Sequence, residues 1–210
     1  MPAKTPPRVP RRRGRSQRYT SHEFRPYVSA LGRLTLAWND LQESLAGLYW
    51  TLNLPGPPSA GDSFTYAPLK VWAAVKSDRT QRDMLRAVVN QDADNWGRPA
   101  LEADALWLLK EAGKLADARN DAVHSPLYEV DKSLYGMGNT PGVKVAPAWW
   151  LSNPRALNLS KHTDLLAEFR YCHDTAIVLS DYGQALNNAL VNRGQPWPRR
   201  PTMPTRSAQP

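Results

Sequence analysis

The chain has a single cysteine, Cys172, among its 210 residues. A lone cysteine excludes an intrachain disulfide framework and suits a reducing compartment. It also leaves no Cys-x-x-Cys pair, so the adjacent Cys172-His173 lacks the ligand spacing of a zinc site. Cys172 is expected to pack as a small apolar residue, with no metal or cofactor called for. Long apolar runs are missing as well. None approaches the length of a membrane span, and the basic N-terminus is not followed by the apolar stretch and cleavage site of a secretory signal. The expectation is a soluble, cytoplasmic protein with no membrane partner. Acidic residues are scarce at both ends. Residues 1–26 carry +7 and residues 193–210 carry +4 of a total of +8, which leaves −3 for the segment between. The basic character belongs to the ends.

What the chain does have is helical periodicity. Leu31, Leu34, Trp38, Leu41, Leu45, Leu48 and Leu52 recur every three or four residues, a heptad-like seam that predicts a helix over about 27–53. Asn53-Leu54-Pro55-Gly56-Pro57-Pro58 ends it. Helical character returns over about 67–90, with a break at Ser77-Asp78, where Asp78 and Gln81 have capping-box spacing. A third helix runs from about Leu101 to Ser125-Pro126, with Leu101, Ala105, Leu108, Ala112 and Leu115 on one face. A last helix spans about 161–191 on Leu165, Phe169, Cys172, Ala176, Leu179, Leu186 and Leu190. Between these last two, Leu127–Asp131 and Val143–Val145 alternate like strands around a glycine-rich centre, which predicts a small hairpin or flap. Trp149-Trp150 follows. Core or subunit-interface packing is the default for such aromatics, and stacking on bases is the alternative.

The fold class expected is therefore all-α: an up-and-down bundle of four to five helices, residues 27–192, with a small hairpin between the last two. Residues 1–26 hold the run Arg11-Arg12-Arg13-Gly14-Arg15 and no apolar period, so a disordered arm is expected. Arg11, Arg12, Arg13 and Arg15 are candidate nucleic-acid contacts through counterion release, or else simply a solvated tail. Residues 193–210, rich in Pro and Arg, are expected to be disordered too.

The stretch with the most chemistry is Ala118-Arg119-Asn120-Asp121-Ala122-Val123-His124-Ser125-Pro126. Arg119 continues the apolar series of its helix, so it projects near the buried face, where a guanidinium needs a partner or a wet cleft. Asn120 and His124, four apart, share an adjacent face. Three groups able to contact a phosphate thus converge on one helix end.

Arg119, the polar Asn120 and His124 after a three-residue gap resemble the signature of the HEPN superfamily. Its fold, a four-helix core with the motif late in the third major helix, is similar to the order read here over residues 27–192. The hairpin is long for that pattern, and no nucleotidyltransferase domain accompanies the helices in this chain. The resemblance implies a metal-independent ribonuclease, acting as a homodimer with the motifs facing across the two-fold axis. Within it His124 would be the base or acid, Arg119 would hold the phosphate, and Asn120 would orient either of them. Histidine suits proton transfer near neutral pH, and guanidinium suits charge growing on a phosphate. The resemblance also suggests an antitoxin or a phage-defence partner. The alternative is a non-catalytic RNA-binding or interaction module that relies on the basic ends.

Overall fold

The periodic segments fold as helices, and their apolar seams are buried. The computed structural model describes residues 20–55, 65–92, 96–131, 143–148 and 153–206. These form α1 (Arg25–Leu52), α2 (Ala67–Ala74), α3 (Asp78–Asp92), α4 (Leu101–His124), β1 (Leu127–Asp131), β2 (Val143–Pro147), α5 (Pro154–Leu159) and α6 (Leu165–Val191). The chain is all-α with one small antiparallel hairpin, and it has six helices where four to five were expected. On α1 the seam residues Leu34 to Leu52 are buried, whereas Leu36, off the seam, is 66% exposed. The faces expected on α4 and α6 are buried throughout. Among the described residues no helix is long and apolar enough to cross a membrane.

The described residues fall into two compact units. One draws on 20–34, 117–131, 143–148, 153–172 and 206, the other on 35–55, 65–92, 96–116 and 173–205, and α1, α4 and α6 contribute to both.

In the second unit the three long helices pack together closely. A Cβ on Gly183 of α6 would lie 2.7 Å from Ser44 Oγ of α1 and 3.4 Å from Leu108 Cδ2 of α4. Thr51 Oγ1 donates to Asn187 Oδ1 at 2.5 Å, a polar tie between α1 and α6. The break between α2 and α3 lies where expected, but its cap sits one residue earlier. Ser77 Oγ accepts from Thr80 N at 3.3 Å. Asp78 instead accepts from Trp38 Nε1 at 3.1 Å. Gln81 turns back to donate to the carbonyls of Trp72 and Val75 at 3.0 and 2.9 Å, which closes the end of α2. Asp78 is drawn away because the indole N–H of the buried Trp38 must find an acceptor.

The chain after α6 departs from expectation. Residues 193–206 are not a free tail but carry specific contacts. Trp197 Nε1 and Arg200 Nε donate to the two oxygens of Asp104 at 2.7 and 2.6 Å. Arg200 also donates to Ala103 O at 3.0 Å and lies 5.7 Å from the centre of the Trp107 ring. Arg98 secures the turn after α6, donating to the carbonyls of Ala189 and Arg193, both at 3.0 Å. The reason is Asp104, a buried carboxylate that water cannot satisfy and cationic and indole donors can.

The first unit holds the hairpin and α5. Leu127 pairs with Pro147 and Asp131 with Val143, and Ala148 N extends the pairing to Pro126 O at 2.8 Å. α5, a single short helix, lies between the expected hairpin and the expected last helix, where no element is predicted. It is capped by Asn153, whose Oδ1 accepts from Arg155 N at 3.0 Å, and Pro154 supplies its first position. The ordered body also begins before residue 27. Phe24 is buried in a turn closed by its N–H to Ser21 O at 3.2 Å, and the Ser21 hydroxyl donates to Glu129 of β1. Arg206 grips the buried Glu168 through two bonds, Nε to Oε2 at 3.0 Å and Nη2 to Oε1 at 2.9 Å. Its guanidinium stands 4.6 Å from the centre of the Tyr171 ring. Only residues 20–26 of the expected basic arm are described, so Arg11, Arg12, Arg13 and Arg15 lie outside the described residues, as do Trp149 and Trp150.

Candidate functional site

α4 ends where the sequence says it must. Pro126 disfavours helix at the residue before it, and His124 is the last helical residue. Arg119, one position along from the apolar series, is half-buried. Its Nη1 donates to Asn120 Oδ1 at 3.1 Å. That bond fixes the Asn120 amide and directs one edge of the guanidinium. Arg155 of α5 donates to the Asn120 carbonyl at 3.4 Å, and Asn158 donates to Asp121 Oδ2 at 3.1 Å. Both bonds hold α5 to the last turns of α4. The sequence reading missed Arg155 and Asn158, because their segment is too short to show a period; the Asn153-Pro154 cap was the one signal available.

His124 is exposed and forms part of the wall of a cleft of about 300 Å³. The opposite wall comes from the turn before α1 and its first residues, with Phe24, Tyr27, Val28 and Leu31. Ala122 to Leu127 complete the lining, which includes neither Arg119 nor Asn120. The three motif residues are therefore on one helix end, but His124 alone borders the cleft. Two further residues there carry chemistry. Ser125 is 7% exposed, and its hydroxyl has no partner among the described residues. The Tyr27 phenol is pushed above its usual range, by burial first and then by the negative charge of Asp164, so it stays protonated and can donate. Neither was legible in the sequence. Tyr27 stands almost a hundred residues from the motif, and Ser125 reads as an ordinary helix-terminal serine.

Elsewhere in the first unit, Glu168 also meets His162 Nδ1 at 3.2 Å and the Cys172 thiol at 3.8 Å. Burial, followed by the charge of Glu168, pushes that thiol up to about 12, so it is neither a nucleophile nor a ready metal ligand at neutral pH. Among the described residues no group of three or more His, Cys, Asp or Glu is placed to hold a metal ion. Two guanidinium groups, Arg119 and Arg155, thus stand at the last turns of α4, with the carboxylate of Asp121 bonded to Asn158 beside them. No protein-family model matches the chain, and no match is found among curated proteins or solved structures.

Proposed function

We propose that the protein is a metal-independent endoribonuclease of HEPN type. It acts on RNA through the ribose 2′-hydroxyl and leaves a 2′,3′-cyclic phosphate and a 5′-hydroxyl. The observation that carries this reading is an exposed His124 at the lip of a cleft, one helical turn beyond the bonded Arg119–Asn120 pair.

His124 takes the proton from the 2′-hydroxyl, and the freed oxygen attacks the adjacent phosphorus. The P–O5′ bond breaks, and the departing oxygen takes a proton from a second acid. One chain supplies a single histidine at this site, so the acid is His124 of a second copy across a two-fold axis, as the resemblance implies. Arg119 holds non-bridging phosphate oxygens as negative charge grows on them. Asn120, held by that same guanidinium, orients it. A toxin–antitoxin or phage-defence setting, with its partner, belongs to this reading.

The test is end-labelled RNA and a matched all-deoxy strand, incubated in EDTA with the wild-type protein, His124→Ala and Arg119→Ala. RNA is cut to cyclic-phosphate ends, and the deoxy strand is not, because it lacks the attacking hydroxyl. His124→Ala lowers the rate by about 10²–10⁴-fold, and Arg119→Ala by about 10²–10³-fold. Cutting of both strands, or undiminished cutting by either variant, overturns the reading. A second reading rests on the +7 carried by residues 1–26: a binding module whose RNA affinity survives both substitutions and loses its salt dependence when that arm is deleted.

A further inference from the structure

Arg155 of α5 brings a second guanidinium to the motif. Its Nη1 donates to the main-chain carbonyl of Asn120 at 3.4 Å. Because α4 runs on to His124, that carbonyl also accepts the His124 N–H. The Arg155 guanidinium therefore stands beside the peptide hydrogen bond that joins two of the three motif residues. Arg119 reaches the same asparagine at its other oxygen, with Nη1 donating to Oδ1 at 3.1 Å. Asn120 thus has one guanidinium at each of its two oxygens. They sit at different depths, since Arg119 is half-buried and Arg155 is exposed.

Satisfying the backbone does not require Arg155. The carbonyls left without helical partners are the last four of a helix, and that of Asn120 lies before them. Nor does one carbonyl occupy a guanidinium, which has five N–H donors and a full charge. Among the described residues Arg155 forms no ion pair. Asp121, the neighbouring carboxylate on α4, is bonded elsewhere: its Oδ2 accepts from Asn158 Nδ2 at 3.1 Å, and Asn158 Oδ1 accepts from Lys161 Nζ at 2.9 Å. Arg155 is left with a charge and donors for a ligand. One guanidinium can hold one phosphate through two parallel bonds. Two of them, one deeper and one further out, match a strand that presents its phosphates in series. With one phosphate at Arg119, the next lies further along the strand, toward solvent.

We propose that Arg155 binds the phosphate adjacent to the one that is cleaved, so that the site grips two consecutive phosphates of a single strand. The inference rests on the ribonuclease reading for the role of Arg119, and it adds a minimum substrate to that reading: full affinity requires a second phosphate. Arg155 touches no reacting atom and contributes to binding alone.

The test uses the full chain and a short labelled all-deoxy strand, which offers the phosphates without the attacking hydroxyl. Affinity is measured between about 50 and 200 mM salt. Arg155→Ala lowers the slope of log affinity against log salt by about 0.7 and weakens binding about fivefold near 0.1 M, the contribution of one single-strand phosphate. Arg155→Lys, which keeps the charge, retains most of both. The Arg155 main-chain N–H still bonds Asn153 in either variant, so α5 keeps its cap. In RNA cleavage Arg155→Ala raises KM for an oligonucleotide by about the same factor and leaves kcat unchanged. It changes neither constant for a dinucleoside monophosphate, which has no second phosphate. An unaltered salt slope overturns the proposal. So does a lysine variant as weak as the alanine one, or an equal loss on the dinucleoside monophosphate, since either would show that Arg155 merely supports Asn120. Failure of the two readings is separable. Cutting with an unaltered slope removes the second phosphate site and leaves the nuclease, whereas the expected slope change in a chain that does not cut does the reverse.

Discussion

Cys172 is fully buried on α6, with Glu168 one turn away on the same helix. Its thiol is pushed from an ordinary 9.0 to about 12, by burial first and by the Glu168 charge second. In the unfolded chain the thiol ionises near 9, but in the folded protein it holds its proton well beyond that. The folded state therefore binds the extra proton at alkaline pH, and stability falls as the pH rises. The contribution is fully present below pH 9 and is lost as the pH climbs toward about 12. Tyr182, raised from 10.0 to about 12 by burial and then by Asp104, acts in the same direction from pH 10 upward. Urea unfolding at pH 8, 9 and 10 should show a decline between 9 and 10 that Cys172→Ala reduces; an identical decline in the variant would refute the assignment. The sequence showed that Cys172 lies on an apolar seam. It did not show that the carboxylate beside it is buried, because Glu168 reads as an ordinary acidic residue of the last helix. The same limit applied at the candidate site, where Arg119 and His124 stood out by spacing, and Tyr27 and Ser125 became visible only when the chain had folded.

At the scale of elements, the long helices were legible because their leucines keep time with the helical turn over four or more turns. Shorter pieces were not. α5 is six residues long and leaves no period to detect. The cap of α3 was displaced by one residue because Trp38, forty positions earlier, claims Asp78. Glycine was equally silent, and its meaning at position 183 comes from packing. Alanine normally exceeds glycine in helix preference by about 1 kcal/mol. At Gly183 the added methyl would meet Ser44 Oγ at 2.7 Å and Ser44 Cβ at 3.3 Å. Gly183→Ala is thus expected to destabilise the protein despite the propensity gain. Ser44→Ala removes the nearer atom, so the double variant should recover part of the loss. Denaturation midpoints for the four proteins of this cycle give the coupling directly, and strict additivity would contradict the close approach.

At the scale of the whole molecule, the segment after α6 matters most, and composition misread it. Its prolines and arginines have the make-up of a disordered tail, yet Trp197 and Arg200 satisfy Asp104, and Arg206 satisfies Glu168. Sequence patterns report neighbours along the chain, whereas these partners lie 38 to 96 positions away. Both arginines are partly exposed, so screening limits the Coulomb part of each bond, and the larger effect is on the acids they leave behind. A chain ending at Asn192 should melt at least 2–4 °C lower, the shift that about 1 kcal/mol produces at this length. Arg206→Ala should give part of that change. Unaltered melting of the shortened chain, followed by circular dichroism, would mean that the contacts contribute nothing.

The order in which the residues are made gives those bonds a second meaning. Synthesis runs from the N-terminus, so Asp104 and Glu168 leave the ribosome before Trp197, Arg200 and Arg206. Until then Asp104 lacks Trp197 and Arg200, and Glu168 has only His162 and the Cys172 thiol, so water serves the rest. The helices can form and begin to associate on the nascent chain, but the places around these two acids stay wet and open. Packing around these two acids is therefore completed late in the order of synthesis, once residues 197–206 have been made and turn back.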